Sequence, residues 1–263
     1  MVRVFKELYD YREMMLSLIQ KELRGKYKGS VLGFFWSLLI PLFQWLIYTA
    51  VFSIVFRNEN ISDFHMFLFV ALIPWFFFSG AVSGGALTIL QQKNLVQKIY
   101  FPRMVLPIAY TISCFINMLL SFIIVFIALF ISGIGVNIAV LGYLPLIMLI
   151  ELLMGIGMAL LFSALTVYFR DLEYILNIVT MAWMYMTPIL YPLEEVEKNV
   201  GDGVKFLYLN PMTSVTIAYR DILYYKQAPA METLTYAVCW GFVVLVIGFI
   251  TFQRLQRHFV EEM

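Results

Sequence analysis

Long runs without a charged residue dominate the chain. They cover Val31–Phe56, Met66–Gln92, Met104–Ile150, Leu152–Phe169, Tyr174–Leu193 and Thr233–Gln253. A bilayer core about 30 Å thick takes roughly 20 helical residues, so most of these runs match one crossing each. The 47 residues from Met104 to Ile150 are the exception. As one helix rising 1.5 Å per residue they would reach about 70 Å, so the run must fold back. Its one dense break is Ser132-Gly133-Ile134-Gly135-Val136-Asn137, a turn composition. The pattern therefore predicts six spans at about 31–56, 66–92, 104–132, 142–169, 174–192 and 233–253.

Three segments lie outside these spans. In the first, Leu8, Tyr11, Met15, Ile19 and Leu23 recur at helical spacing, with Glu7, Asp10, Glu13, Ser17 and Gln20 on other faces. This predicts an amphipathic helix on the inner leaflet, finished by the basic cluster Lys21, Arg24, Lys26 and Lys28. A plain topology anchor fits the same residues. The second segment is Lys93–Arg103, where Leu95, Val96, Ile99 and Tyr100 form a stripe, Lys93, Gln97 and Lys98 lie elsewhere, and Pro102 ends the helix. Such a helix either lies on lipid or enters a partner's groove, and nothing local decides between the two. The third runs from Tyr191 to Glu232. There Phe206–Leu209 and Val215–Tyr219 are two short apolar stretches parted by Asn210-Pro211. They predict a re-entrant hairpin over about 204–226, or else a loop packed on the helix ends. Non-helical backbone at membrane depth survives only against protein or a water-filled cavity, so the hairpin implies a cavity opening outward.

Composition turns this pattern into a class. The chain is 62% hydrophobic and 13% charged, with mean hydropathy +0.85; soluble chains carry about 25% charge. The fold class is an all-α polytopic membrane protein. Lys and Arg number thirteen on 1–30, 93–103, 170–173 and the C-terminal tail, against five on the alternate segments. That asymmetry predicts N-in and C-in. The charged first 30 residues lack the apolar core of a cleavable signal. The layout is then a cytoplasmic interface segment 1–30, a transmembrane domain 31–253 and a cytoplasmic tail 254–263. A net charge of +1 without a basic stripe argues against a nucleic-acid binder. Cys114 and Cys239 sit in apolar runs and read as small buried hydrophobes.

The candidate chemistry is sparse. His65 and His258 fall on opposite sides of the bilayer, and no HExxH, CxxC or GxSxG occurs, so an intramembrane enzyme is the least supported reading. Glu151 is the single acid inside a span. It is a functional candidate by its position, or a hydrogen-bonded structural group. A secondary transporter would show more polar machinery and an internal repeat. No GxxxxGK[ST] is present, so an active transporter would take its ATPase from a separate polypeptide. Aromatic clusters at Phe34–Trp36, Trp75–Phe78 and Trp183, Tyr185 and Tyr191 form an interfacial belt or face a lumen that accepts sugars. Gly155, Ala159 and Ser163, and likewise Gly80 and Gly84, make ridges that let helices approach.

Tyr27-Lys28-Gly29-Ser30-Val31-Leu32-Gly33-Phe34-Phe35-Trp36 followed by Pro41-Leu42 resembles the start of the first helix in ABC-2 type polysaccharide-export permeases. Phe101-Pro102-Arg103, Arg170-Asp171, Thr187-Pro188-Ile189-Leu190-Tyr191-Pro192, Asn210-Pro211 and Tyr219-Arg220 are similar to the rest of that pattern, in order and end to end. The resemblance implies a homodimer assembled with two ATPase subunits in the bacterial inner membrane. It would carry a polyprenyl-diphosphate-linked glycan, O-antigen or wall teichoic acid, to the outer leaflet. This chain would bind no cofactor, ATP and Mg being held by the partner. The resemblance also assigns 93–103 as the coupling helix, with Lys93, Gln97, Lys98, Tyr100, Phe101 and Arg103 against the ATPase, joined by Arg170 and Asp171. Trp36, Trp75, Glu151, Tyr185, Tyr191 and Tyr219 are the expected translocation path, and Arg24, Lys26 and Lys28 the attraction for the lipid diphosphate. An ABC-2 drug or small-lipid exporter shares the fold, and a membrane anchor or assembly subunit is the non-transport rival.

Overall fold

The computed structural model describes every residue except 1, 26–28, 31, 56–62, 194, 195, 197, 199, 200 and 263. Lys26 and Lys28 thus lie outside the described residues, as do the last residue of the first expected span and the loop after it. Among the described residues no strand occurs. The helices are α1 (Val2–Asp10), α2 (Arg12–Gly25), α3 (Trp36–Val55), α4 (Phe64–Gln91), α5 (Lys93–Lys98), α6 (Val105–Ile131), α7 (Ile138–Leu141), α8 (Leu144–Tyr168), α9 (Leu172–Met186), α10 (Pro211–Leu223), α11 (Met231–Leu255) and α12 (Phe259–Glu262). Gly201–Leu209 is a 3-10 helix leading into α10.

Four stretches among the described residues are long and apolar enough to cross a membrane: Phe64–Gln91, Val105–Ile131, Ile138–Tyr168 and Met231–His258. They match the second, third, fourth and sixth expected spans. The long run folds back where its composition requires. Gly133 and Gly135 take φ of 75° and 68°, open to glycine at no steric cost, and Gly135 N–H donates to the Leu129 carbonyl at 3.0 Å. Asn137 then caps α7 by accepting from Ala139 N–H at 3.2 Å.

The other two expected spans have a different shape. Helix α3 has 20 residues with Pro41 inside it. Helix α9 has only 15, about 22 Å at 1.5 Å per residue. It stops at Met186 because Thr187 precedes Pro188, and a residue before proline is pushed out of the helical region. Thr187 is extended, with φ −93° and ψ 137°. The chain continues through 187–191 in turns.

Helix α4 is the centre of the body and packs on α3, α6, α8, α9 and α10. Small residues set the approach. A Cβ on Gly85 would stand 2.7 Å from the Ala159 Cβ, and one on Gly155 would stand 2.9 Å from the Phe77 ring. The Tyr110 hydroxyl lies directly over Gly84, while Gly80 meets Cys114 at ordinary contact distance. The α8–α11 crossing is closer still, since a Cβ on Gly248 would come within 2.0 Å of the Gly157 carbonyl oxygen. Cys239 corrects the expectation of burial: it is exposed on α11, on the same outward apolar face as Val238, Phe242 and Val243.

The packed interior has two parts. The larger lies around α4, α6, α8 and α10. A second cluster gathers Ile89, Val96, Phe101, Leu160, Phe252 and Phe259, with Tyr11, Met14 and Leu18 of the N-terminal region packed on it. The N-terminal amphipathic stretch, broken at Tyr11 into α1 and α2, therefore covers protein along this side.

Candidate functional site

The segments read as inner meet at one end of the molecule. Helix α5 turns Val96 inward, and Phe101 follows it into the second cluster, while Gln97, Lys98 and Ile99 face out. Tyr100 is 95% exposed and stands at the tip of the segment. Its base is tied from three directions. The Tyr11 hydroxyl donates to the Tyr100 carbonyl at 3.5 Å, and Lys21 Nζ donates to Gln92 Oε1 at 3.2 Å. Arg103 donates to the Gln256 carbonyl and lies 5.8 Å above the centre of the Phe259 ring. Partial burial lowers the Arg103 guanidinium from its usual range, against a smaller opposing effect of Tyr100.

The C-terminal tail completes this end, which sequence reasoning missed. Phe259 is fully buried, edge-on to Phe252 and Tyr168, and the Tyr168 hydroxyl donates to the Leu255 carbonyl at 2.9 Å. The available signal is a lone aromatic in a charged tail, Gln253–Met263. A cleft of about 640 Å³ opens between Glu7, Tyr11, Tyr100, Arg103, Gln256 and Arg257. A second, about 740 Å³, lies under the α8–α9 turn beside Arg170, Asp171 and Glu262, with Arg170 and Asp171 both exposed. Arg24 is exposed near the end of α2.

The opposite end is built on α10. Asn210 is its N-cap and Pro211 its first residue, the two positions where these residue types fit best. Asn210 is used completely: Oδ1 accepts from Met212 N–H at 3.0 Å and from Trp183 Nε1 at 2.8 Å, and Nδ2 donates to Thr187 Oγ1 at 2.8 Å and the Met186 carbonyl at 3.3 Å. This one side chain joins the start of α10 to the end of α9. Arg220, 4% exposed, fastens the turn that follows α9. Its guanidinium donates to the carbonyls of Pro188 and Ile189, reaches that of Tyr191 at 3.5 Å and that of Phe67 at 3.4 Å, and stacks 3.5 Å over the Phe67 ring. The carbonyls of the irregular turn after α9 thus find a charged donor. At the far end of α10, Asn137 donates to the Lys226 carbonyl and Lys226 Nζ to the Ile134 carbonyl, each at 3.2 Å.

The residues expected on a translocation path fall into separate places. Glu151 and Tyr219 are brought together, both fully buried: the Tyr219 hydroxyl donates to Glu151 Oε2 at 2.6 Å, and the Tyr219 ring stacks on Phe122. Glu151 Oε1 has no partner among the described residues. Tyr185 is exposed, and its carbonyl accepts from the half-buried Tyr191 hydroxyl at 3.1 Å. Trp75, 3% exposed, belongs to the main core against Phe78. Trp36 begins α3, half-buried.

Residues 14–224, from α2 through α10, match the ABC-2 type transporter family. The chain belongs to that family. This ABC-2 chain is 34% identical over 261 residues to the O-antigen export system permease protein RfbA of Myxococcus xanthus, covering 99% of each. It is 26% identical over 249 residues to the protein of that name from Klebsiella pneumoniae, covering 95% of this chain and 94% of the other. Polysialic acid transport protein KpsM of Escherichia coli is 25% identical over 237 residues, covering 88% of this chain and 89% of KpsM. With relatives of this kind and several helices of crossing length, the ABC-2 chain is a multi-pass membrane transport protein.

Proposed function

We propose that the chain is the permease subunit of an ATP-driven exporter that moves a polyprenyl-diphosphate-linked cell-surface polysaccharide, an O-antigen or a teichoic acid, to the outer leaflet of the bacterial inner membrane. The observation that carries this reading is the 34% identity to an O-antigen export permease over 99% of both chains. Helices α3 and α9 complete six crossings in an N-in, C-in arrangement, α9 extended by the turn through 187–191. Helix α9 buries only Leu176 and Thr180, leaving Ile175, Ile178 and Met181 exposed, which suits a second copy of the chain. The assembly is a homodimer carrying two ATPase subunits, which supply ATP and Mg.

Lys93, Gln97, Lys98, Tyr100, Phe101 and Arg103 form the coupling segment. The exposed Ile99 and Tyr100 on a fixed base favour a protein groove over lipid. Arg170 and Asp171 make a second contact with the ATPase. Trp36, Tyr185 and Tyr191 face the glycan, while Trp75, Glu151 and Tyr219 hold the wall behind it. Arg24, with Lys26 and Lys28, draws the diphosphate to the inner leaflet.

Deletion of the gene tests this. The strain is expected to lose its surface polysaccharide and to accumulate lipid-linked glycan inside, with recovery on expressing the intact chain but not the Tyr100→Ala variant. Normal surface glycan with altered drug sensitivity would overturn the proposal in favour of a drug or small-lipid exporter.

A further inference from the structure

A cleft of about 250 Å³ lies between α3, α4 and α6, and neither Glu151 nor Tyr219 lines it. One side is apolar, with Pro41, Ile73 and Phe76. The other carries Ser37 and Gln44 of α3 facing Tyr110, Asn117 and Ser121 of α6. Tyr110, Ser113, Asn117 and Ser121 are spaced by three or four residues and form one polar stripe on a helix that is apolar elsewhere except at Thr111. Polar side chains at such depth are costly and mark binding or conduction.

Part of the stripe is already hydrogen-bonded along its own helix. The Ser113 hydroxyl donates to the Tyr110 carbonyl at 2.7 Å, Asn117 Nδ2 to the Ser113 carbonyl at 3.1 Å, and the Ser121 hydroxyl to the Asn117 carbonyl at 2.9 Å. Asn117 Oδ1 is left buried with no partner among the described residues. Asn117 Nδ2 has a second N–H and Gln44 brings a whole side-chain amide, so the cleft presents donors and acceptors together, as a ligand hydroxyl requires. None of the lining residues is Asp, Glu, Lys, Arg or His, which leaves a diphosphate or a cation without a counter-charge. The volume falls just below the roughly 300–1,000 Å³ of drug-sized sites, enough for one ring and too little for a stretch of polymer.

We propose that this cleft binds one neutral, hydroxyl-rich ring of a membrane amphiphile, a sugar unit carried on a lipid. The identification of that lipid with exported glycolipid rests on the function proposed above; the site itself does not. Cys114 lines the cleft, and Cys239, exposed on α11, serves as an internal reference. The full chain in lipid nanodiscs is treated with N-ethylmaleimide, and both thiols are followed by mass spectrometry. Octyl β-glucoside below its solubilising concentration should slow Cys114 labelling at least fivefold and saturably. An octyl chain on a phosphocholine head should not, and Cys239 should be unaffected by either. Asn117→Leu and Gln44→Leu should each label normally and lose the protection. Equal slowing by both amphiphiles, no slowing, a Cys114 that never reacts, or protection that survives both variants would overturn the site. The permease reading stands or falls separately, on the surface glycan of whole cells.

Discussion

Glu151 and Tyr219 sit 68 residues apart in sequence and 2.6 Å apart in the fold, sealed from solvent. An apolar interior penalises a polar atom left without a partner more than it rewards one that is paired. The two side chains therefore have unequal substitution costs. Tyr219→Phe removes the one donor to Glu151 among the described residues and strands the second carboxyl oxygen beside the first, at about 1–3 kcal/mol. Glu151→Met with Tyr219→Phe replaces both partners by apolar groups of similar shape and should be nearly neutral. Thermal unfolding of the purified chain in detergent reads both. A double variant as stable as the parent and still exporting glycan would assign the pair to structure. One equally stable but dead in export would assign the pair to transport.

At the scale of elements, close helix crossings carry the body. Gly157 and Gly248 bring α8 and α11 into backbone contact, and the nearest atom to an added Cβ at Gly248 is a carbonyl oxygen, which cannot swing aside as a side chain would. Gly248→Val should cost well beyond the roughly 1–3 kcal/mol of ordinary overpacking. The expected outcome is loss of the folded chain from the membrane fraction, while Gly80→Ala, whose Cβ meets Cys114 at 4.0 Å, is tolerated. Much of this architecture was legible beforehand. The spans around α4, α6, α8 and α11, the turn at 132–137 and the break at Asn210-Pro211 all follow from apolar run length and turn chemistry. The early end of α9 was less so, because the charge-free run Tyr174–Leu193 counts residues and not backbone; Pro188 carried the missing information. Arg220 was counted as an outer charge, yet it is buried against four carbonyls. Periodicity and charge counts do not report which distant carbonyls a guanidinium will find, nor that Tyr219 faces Glu151.

On the scale of the whole molecule, α4, whose 28 residues span about 42 Å, links two differently built ends. One end is the network of α9, α10 and the 187–191 turn. The other joins the N-terminal helices, α5 and the C-terminal tail in one cluster, so Tyr100 is presented on a base to which both chain termini contribute. If α5 transmits force from an ATPase, the tail must resist that force. Phe259→Ala empties a fully buried aromatic site, a change worth about 3–5 kcal/mol in a well-packed core, and loosens the ring beneath Arg103. The main cluster around α4 and α8 does not include Phe259, so the spanning body should still assemble. The expected result is a chain that inserts normally and still binds its ATPase, with nucleotide hydrolysis maintained and export reduced at least tenfold. Phe259→Leu, which refills most of the volume, should recover much of the loss. Hydrolysis per purified complex, measured beside surface glycan in the same strains, checks this. A parallel fall in both quantities would mean that the tail only stabilises the assembly and transmits nothing.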